Sequence, residues 1–270
     1  MSIKTYAVAL KKHPERYEYI KQHLTDRALD FEVVDAVDGS LLTDEQKAKE
    51  CDMAVVNSAR WWLTDGALGA ALSHFNCLKK ISGSEDKAGF IVEDDVILPE
   101  DISETLVELE QKIAPDEVIL LFSAFSRPTR LSTIGKEPVR SGDLLYPIDI
   151  NSVMSAVAYV IGKEAAQGMV DVIKPIKVPA DCWYRFYEQG AFRTLRILYP
   201  NQIEVTHIKS SIDYIDRKSF KSKLSHFIND NKIPFIFSYL KKSRQKRLDS
   251  LKADHQLVDE PSPLQRRRSE

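Results

Sequence analysis

The sequence predicts an α/β fold in which strands alternate with helical crossovers. Short apolar runs that are typical of buried strands, such as Phe90-Ile91-Val92, alternate with longer stretches whose apolar residues recur at helical spacing. That alternation is the pattern of a sheet covered by helices. The 270 residues, of which 43% are hydrophobic and 29% charged, suffice for one large domain or two modest ones.

Five strands can be placed from the apolar runs. They are predicted at residues 6–10, 31–34, 89–92, 118–122 and 156–161. Residues 123–150 lack this regularity and contain three prolines and two glycines. We expect them to form a long insert at an active site.

Helices are predicted between these strands. Pro14 suits the first turn of a helix, and Thr43 with Gln46 forms a capping box for another. A longer helix follows Thr64, and Asp101 is expected to cap the next one. A further helix is predicted over residues 163–173.

Three consecutive carboxylates, Glu93, Asp94 and Asp95, follow the third predicted strand directly. Ligand-binding residues of α/β proteins gather where strands end, and three neighbouring acids repel one another unless a cation lies among them. Hard oxygen ligands of this kind suit Mg²⁺ or Mn²⁺. The alternative is a strand that runs into a solvated acidic turn, and the three residues alone do not decide between the two.

The net charge of −2 conceals an asymmetry along the chain. Residues 217–247 carry ten Lys and Arg against one Asp, whereas residues 1–216 are acidic. An apolar run at 233–240 interrupts the basic stretch, which favours an anionic membrane surface over nucleic acid as its partner. A solvated helix is the alternative. We predict a folded domain over residues 1–216, a basic, partly apolar helical segment over 217–250 and a disordered tail over 251–270.

The cysteines and the amino terminus indicate a cytoplasmic protein. Cys51, Cys77 and Cys182 show no metal-binding or paired spacing, which is typical of reduced thiols. No signal-peptide apolar region follows Met1. No apolar run approaches the ~20 residues of a membrane span. The sequence does not indicate an oligomeric state.

Five segments in order resemble glycosyltransferase family 25, the group that includes bacterial lipooligosaccharide galactosyl- and glucosyltransferases. They are VALKKHPER at 8–16, FEVVDAVDG at 31–39, GALGAALSH at 66–74, EDD at 93–95, and the stretch from AYVI to PAD at 158–181. Ala70 replaces the cysteine that is usual in the third segment. Together the segments extend the resemblance over residues 3–210, and the basic segment lies outside it.

The resemblance implies a GT-A type fold, in which a Rossmann-like, partly mixed sheet binds a nucleotide sugar. It also implies a UDP-hexose donor and a divalent metal, Mn²⁺ or Mg²⁺. The donor-binding positions that it carries onto this chain are Leu10, Arg16, Asp38, Ser73, His74 and Asp94. Arg16 is expected to contact the diphosphate or to order the turn at Asp38. For Ser73 and His74 the alternative is a packed, hydrogen-bonded pair without ligand contact.

The chemistry of glycosyl transfer assigns roles to the acids. The transition state resembles an oxocarbenium ion, and the leaving diphosphate gains negative charge that a carboxylate-held cation offsets. Side chains alternate along a strand, so Glu93 and Asp95 are expected to face the metal, with Asp95 as its main ligand. Asp94 would then contact the ribose or the donor sugar. His207 stands where the family often has Gln, and this sequence alone suggests it as a further metal ligand.

An inverting transfer also requires a base that takes the proton of the acceptor hydroxyl. Asp181 is the candidate, because it follows a loop framed by Pro175 and Pro179 and precedes an aromatic helix. The alternative is that Asp181 is the N-cap of that helix.

The leading hypothesis is a metal-dependent, inverting hexosyltransferase that extends a lipid-linked oligosaccharide acceptor, a lipooligosaccharide or lipopolysaccharide. It would act in the cytoplasm, peripherally associated with the inner membrane. One alternative is a metal-dependent phosphohydrolase or nucleotidyltransferase that uses the same acids. A second is a non-catalytic carbohydrate-binding relative. The sequence does not choose the hexose, because that choice depends on a few pocket contacts.

Overall fold

The first three strands are parallel neighbours. The computed structural model describes residues 3–123, 129–206 and 255–265. It places β1 (Lys4–Ala9) between β2 (Phe31–Asp35) and β3 (Ala88–Glu93). Val8 lies opposite Glu93, and Ala9 lies opposite Asp35, so the three carboxyl ends reach the same edge of the sheet. The predicted acids therefore lie where ligands bind in α/β folds.

Six further strands extend the sheet from β3. They are β5 (Glu117–Leu120), β6 (Arg130–Val139), β7 (Gly142–Pro147), β8 (Ala158–Gly162), β9 (Thr194–Tyr199) and β11 (Gln256–Val258). The strand order is β2-β1-β3-β8-β5-β9-β7-β6-β11, in which β7 and β8 run antiparallel to the rest. A separate ribbon pairs β4 (Val96–Ile97) with β10 (Glu204–Val205).

Helices cover both faces of this sheet. They are α1 (Pro14–Asp26), α2 (Asp44–Glu50), α3 (Met53–Ser58), α4 (Asp65–Gly83), α5 (Ile102–Lys112), α6 (Lys163–Ile173) and α7 (Trp183–Glu188). Tyr6 and Val8 of β1 join the core that contains α4 and α6, whereas Ala7 and Ala9 join the core that contains α1 and α5. The alternation of side chains along β1 thus builds two cores. The predicted α/β class is confirmed.

Two predicted helix caps differ in outcome. Thr43 and Gln46 form the predicted capping box at α2. Asp101 occupies the N-cap position of α5, but its side chain makes no capping bond and instead lies 3.5 Å from Arg140. The Asp101 side chain therefore does not form the predicted capping hydrogen bond, because the Arg140 guanidinium competes for its carboxylate.

The stretch predicted to be an irregular insert is largely a hairpin. Residues 130–147 form β6 and β7, which pair antiparallel within the main sheet. Gly142 closes the turn with a φ of 151°, a conformation that favours glycine. The sequence pattern concealed β6, because several consecutive residues in its middle are exposed and interrupt the apolar alternation.

The described end of the chain returns to the sheet. β11 adds to the edge strand β6, the Ser262 hydroxyl donates to the carbonyl of Pro147 at 2.6 Å, and Leu264 is buried. The prediction of a disordered tail is therefore wrong for residues 255–265, of which 256–258 pair with the edge of the sheet. The folded domain also includes a strand from beyond residue 216.

Two predictions fall on residues that the structure does not describe. The basic segment 217–250 and His207 both lie outside the described ranges. Within those ranges, no helix combines the length and apolar character that crossing a bilayer requires.

Two glycines bring the loop after β2 onto α4. A Cβ at Gly39 would lie 1.7 Å from the carbonyl oxygen of Asp65, and one at Gly69 would lie 2.4 Å from that of Val37. Backbone atoms cannot give way as a flexible side chain can. Both positions therefore need glycine for the close approach of two backbones rather than for a special φ.

This contact predicts a difference between two substitutions in α4. Gly69→Ala should lower the free energy of unfolding by about 1–3 kcal/mol, because the methyl group overpacks a backbone contact. Gly83→Ala, near the end of the same helix, meets nothing within 4 Å and should leave stability unchanged or slightly raised. Urea unfolding of both variants measures the effect. Equal stability of the two would contradict the close packing at Gly69.

Candidate active site

A pocket opens at the carboxyl ends of β1, β2 and β3, against α1 and α4. It is lined by Val8, Leu10, Lys12, Arg16, Ala36, Val37, Asp38, Gly39, Ser40, Gly66, Ala70, Ser73, His74, Glu93, Asp94 and Asp95. The structure thus gathers all the predicted donor-binding residues and all three acids in one place. The residues concerned lie up to 85 positions apart in sequence, from Leu10 to Asp95.

Arg16 is the cation that the fold itself supplies to the acids. It lies in the first turn of α1, and its guanidinium contacts Asp94 Oδ1 and lies 3.1 Å from Asp95 Oδ2. All three side chains are buried. Arg16 does not order the turn at Asp38, so that part of its prediction is wrong. The Asp94 carboxylate, expected to contact the ribose or sugar, is held by Arg16.

The acids leave the strand in a turn, and the predicted alternation of the three side chains is wrong. β3 ends at Glu93, Asp94 and Asp95 form the turn, and Val96 begins β4. The carbonyl of Asp95 accepts a hydrogen bond from the N–H of Thr206 at 2.7 Å, which ties the turn to the segment after β10. The turn directs both aspartates to the same guanidinium.

One guanidinium does not neutralise this acidic cluster. Burial and the charge of Glu93 raise the pKa of Asp95 to about 6, although Arg16 opposes the shift. Burial also raises the pKa of Asp94. Asp95 Oδ1 is buried and has no hydrogen-bond partner among the residues that the structure describes. An orphaned carboxylate oxygen beside excess negative charge fits a divalent cation.

The part of the chain that the structure describes supplies fewer ligands than a closed metal site requires. Across residues 3–123, 129–206 and 255–265, no group of three or more His, Cys, Asp or Glu side chains is arranged to hold a metal ion. Mg²⁺-like ions are typically held by one or two carboxylates together with substrate phosphates. Glu93 and Asp95 suit that open kind of site.

Asp38 is fixed by two neighbours that the sequence reasoning missed. Its carboxylate accepts from the Lys12 ammonium and from the hydroxyl and N–H of Ser40. The hydrogen bonds from Lys12 and Ser40 lower the pKa of Asp38 and keep it ionised. The signal for Lys12 was its place in the turn between β1 and Pro14. Lys12 brings a further positive charge to the pocket.

Ser73 holds the pocket wall in place. Its hydroxyl donates to the carbonyl of Gly69 at 2.6 Å and accepts from the N–H of Val37 at 2.8 Å. The loop after β2 is thereby bonded to α4 beside the close glycine contact. The hydrogen-bonded alternative for Ser73 is therefore present, although the residue also lines the pocket.

His74 has Glu93 on one side of its imidazole and a tyrosine of the sheet on the other. Its Nδ1 is 3.0 Å from the hydroxyl of Tyr159, and its Nε2 is 3.5 Å from Glu93 Oε1. Tyr159 belongs to one of the sequence segments of the family resemblance, but that reasoning gave it no role. It is fully buried beneath the imidazole.

Asp181 lies near the acids without lining the pocket. Its Oδ2 accepts from the N–H of Ser155 at 3.2 Å. Burial raises the pKa of Asp181 and the charge of Glu93 adds to this, while the bond from Ser155 opposes it. Cys182 occupies the N-cap of α7 and no side chain caps that helix, so the N-cap interpretation of Asp181 is wrong.

Comparison with known protein families finds a match over the part of the chain that forms the pocket. Residues 2–184 match the family model of glycosyltransferase family 25, described as a lipopolysaccharide biosynthesis protein. Among curated proteins, no sequence matches this chain.

One similar solved structure is a protein from Bacillus anthracis, provisionally named a glucose-1-phosphate thymidylyltransferase and crystallised with sucrose. It is 10% identical to this chain, with a TM-score of 0.38, over 75% of this chain and 71% of its own.

The family match covers more than half of the sequence and includes every residue that lines the pocket. The chain belongs to glycosyltransferase family 25 and is a glycosyltransferase of lipopolysaccharide biosynthesis.

Proposed function

We propose that the protein is a metal-dependent, inverting hexosyltransferase that moves galactose or glucose from a UDP-sugar to a lipooligosaccharide or lipopolysaccharide acceptor. The observation that carries the proposal is the buried acidic cluster at the end of β3. Within the described ranges its Asp95 Oδ1 lacks a hydrogen-bond partner, and the charge of the cluster exceeds what Arg16 offsets. A nucleoside diphosphate with its cation would complete this pocket.

The pocket has a direction that matches an elongated donor. α4 lines it from Gly66 to His74, nine residues that span about 12 Å along the helix. His74 marks the acidic end, where the diphosphate would bind. Gly66, with Gly39 and Ser40 beside it, marks the other end, where the nucleoside would bind. The hexose would then extend past the acids toward Asp181, whose pKa is raised further by the charge of Glu93.

The cation would be held by Asp95 and Glu93, and Mn²⁺ or Mg²⁺ is the proposed ion. When bound, it would supply Lewis-acid stabilisation of the negative charge that the leaving diphosphate gains. Arg16 keeps the turn at Asp94 and Asp95 in place, so their carboxylates are preorganised. The metal role of His207 remains a proposal from the sequence.

The transfer itself needs a proton acceptor. The acceptor hydroxyl oxygen would form a bond to the anomeric carbon as the bond to the diphosphate breaks, and Asp181 would take the hydroxyl proton. Its raised pKa supports this role, because a carboxylate with a higher pKa is a stronger base. The N–H of Ser155 would hold the carboxylate during the step.

We also propose that residues 217–247 attach the enzyme to the cytoplasmic face of the inner membrane, where its lipid-linked acceptor lies. The charge pattern of the sequence supports this proposal, with ten basic residues against one acidic residue around an apolar run.

The metal proposal predicts the behaviour of Asp95→Asn. Saturable Mn²⁺ binding, measured by electron paramagnetic resonance, and sugar transfer should both be lost, while excess chelator should silence the wild type reversibly. Binding should weaken as the pH falls through about 6, because a proton then competes for Asp95. Asp35→Asn, at the end of β2 and outside the pocket lining, is the matched control. Full transfer in excess chelator would refute metal dependence.

UDP release distinguishes the reaction class in the same assay. A transferase should release UDP in proportion to added truncated lipooligosaccharide. Release that does not respond to the acceptor would favour a phosphohydrolase or nucleotidyltransferase. Donor binding without turnover, even with native acceptor, would favour a carbohydrate-binding relative.

The base proposal predicts a selective loss of turnover in Asp181→Asn. The amide oxygen can still accept from the N–H of Ser155 but cannot take a proton. The kcat should fall by roughly 10²–10⁴-fold, while UDP affinity remains near that of the wild type. Asp171→Asn, on the exposed side of α6, controls for the loss of a carboxylate. If the variant keeps most of its kcat, Asp181 is not the base that takes the acceptor proton.

The membrane proposal predicts that charge reversal separates binding from catalysis. The substituted residues are Lys241, Lys242, Arg244, Lys246 and Arg247. Each basic residue near an anionic bilayer contributes about 1 kcal/mol, so binding to anionic vesicles should fall while transfer to a soluble acceptor persists. Added salt should weaken wild-type binding. Vesicle binding that responds to neither change would contradict the proposal.

A further inference from the structure

Tyr159 is a buried hydroxyl placed against the site without an assigned role. It lies on β8, and its ring stacks on that of His74 with 5.8 Å between centroids. Its hydroxyl is 3.0 Å from His74 Nδ1, the one hydrogen-bond partner that it shows within the described ranges. On the far side of the imidazole, Nε2 is buried and lies 3.5 Å from Glu93 Oε1, and no described residue forms a hydrogen bond with it.

Counting hydrogens around the imidazole selects one arrangement. If Nδ1 carried the proton of a neutral ring, it would donate to the Tyr159 oxygen, and the hydroxyl hydrogen would have no acceptor in the core. The unprotonated Nε2 would also direct its lone pair at the Glu93 carboxylate. A doubly protonated ring would leave the same hydroxyl hydrogen unpaired. An unpaired buried donor costs about 1–3 kcal/mol.

The remaining arrangement pairs the hydroxyl hydrogen and presents an N–H, rather than a lone pair, to the Glu93 carboxylate. The Tyr159 hydroxyl donates to Nδ1, and the proton of the neutral ring lies on Nε2, directed at Glu93. Burial raises the pKa of Tyr159 well above its usual value, so the hydroxyl keeps the hydrogen that it donates. The 3.5 Å gap to Glu93 Oε1 can close by a small rotation of a side chain that is 27% exposed.

We propose that Tyr159 is a positioning residue that fixes His74 as its Nε2–H tautomer, so that His74 orients Glu93 through Oε1. The other carboxylate oxygen of Glu93 then stays available to the pocket. Partners of this kind orient metal-binding carboxylates and imidazoles in many sites. The task of Glu93 toward a cation rests on the proposed function, whereas the hydrogen-bond arrangement does not.

The packing behind Tyr159 explains how its ring is held. Trp183 meets it edge to face at a centroid distance of 5.0 Å, and the Trp183 indole N–H donates to the carbonyl of Ser155 at 2.9 Å. Ser155 has a φ of 86°, unusual for a residue with a side chain, and its N–H holds Asp181. One packed series therefore connects the residue proposed as base to the residue that orients Glu93.

The test reads the tautomer directly. In the full chain labelled with ¹⁵N-histidine, long-range ¹H–¹⁵N correlation should show His74 with a proton on Nε2 and a hydrogen-bonded, unprotonated Nδ1. The signal is assigned by its loss in His74→Gln. In Tyr159→Phe the Nδ1 resonance should move toward that of a free imidazole nitrogen. Tyr6→Phe, which removes a hydroxyl from another buried tyrosine of the sheet, should leave it unchanged.

Two further readouts connect the tautomer to Glu93. The Nε2–H proton resonance should shift in Glu93→Ala. Mn²⁺ affinity should fall about 10–100-fold in Tyr159→Phe, the usual effect of removing such a partner, and remain unchanged in Tyr6→Phe.

Three outcomes would overturn the proposal. They are a wild-type His74 with its proton on Nδ1 or on both nitrogens, a Tyr159→Phe spectrum identical to that of the wild type, and an Nε2–H resonance indifferent to Glu93→Ala. A wild type that binds no Mn²⁺ would refute the metal part of the proposed function. The spectra would still decide the arrangement of Tyr159, His74 and Glu93.

Discussion

The contact of Arg16 with Asp94 and Asp95 is the interaction on which the site depends. Burying two carboxylates at the end of β3 is costly without a cation. Helix α1 supplies one, because only four residues separate it from β1, the strand next to β3. The guanidinium offsets part of the charge and leaves an acidic remainder that is open to the pocket. The fold thus keeps its acids ordered and leaves the negative charge that the proposed cation would offset.

A second constraint is the close approach of the loop after β2 to α4. Gly39 and Gly69 allow the two backbones to touch, and the Ser73 hydroxyl bonds one to the other. The wall made in this way carries Asp38 at one end and His74 at the other. Because α4 is a rigid element, a small change in this contact would move the whole wall relative to the acids. The contact of Gly39 with α4 and the hydrogen bonds of Ser73 therefore set the dimensions of the pocket.

The resemblance of ordered segments assigned donor binding to Leu10, Arg16, Asp38, Ser73, His74 and Asp94, and the pocket brings these residues together with Glu93 and Asp95. Their detailed contacts were less predictable. The expected alternation of side chains failed at Asp94 because a turn begins there. The contact of Arg16 with Asp94 and Asp95 was not predicted, because these buried partners lie 78 and 79 residues away in sequence. The reasoning from sequence gave no role to Lys12 or Tyr159, because each contacts a pocket residue that is distant in sequence. Lys12 contacts Asp38, and Tyr159 contacts His74.

The sequence by itself determined the α/β class, the strand that delivers the acids and the family, since apolar periodicity and ordered motifs are local properties of the chain. Only the tertiary structure decided that β6 and β7 continue the sheet and that residues 255–265 return to its edge, because strand pairing depends on which distant backbone offers free hydrogen-bonding groups. It also decided the partners of the charged groups. A buried charge is stabilised by whatever counter-charge or donor the fold brings within a few ångströms, and no spacing along the chain encodes that neighbour.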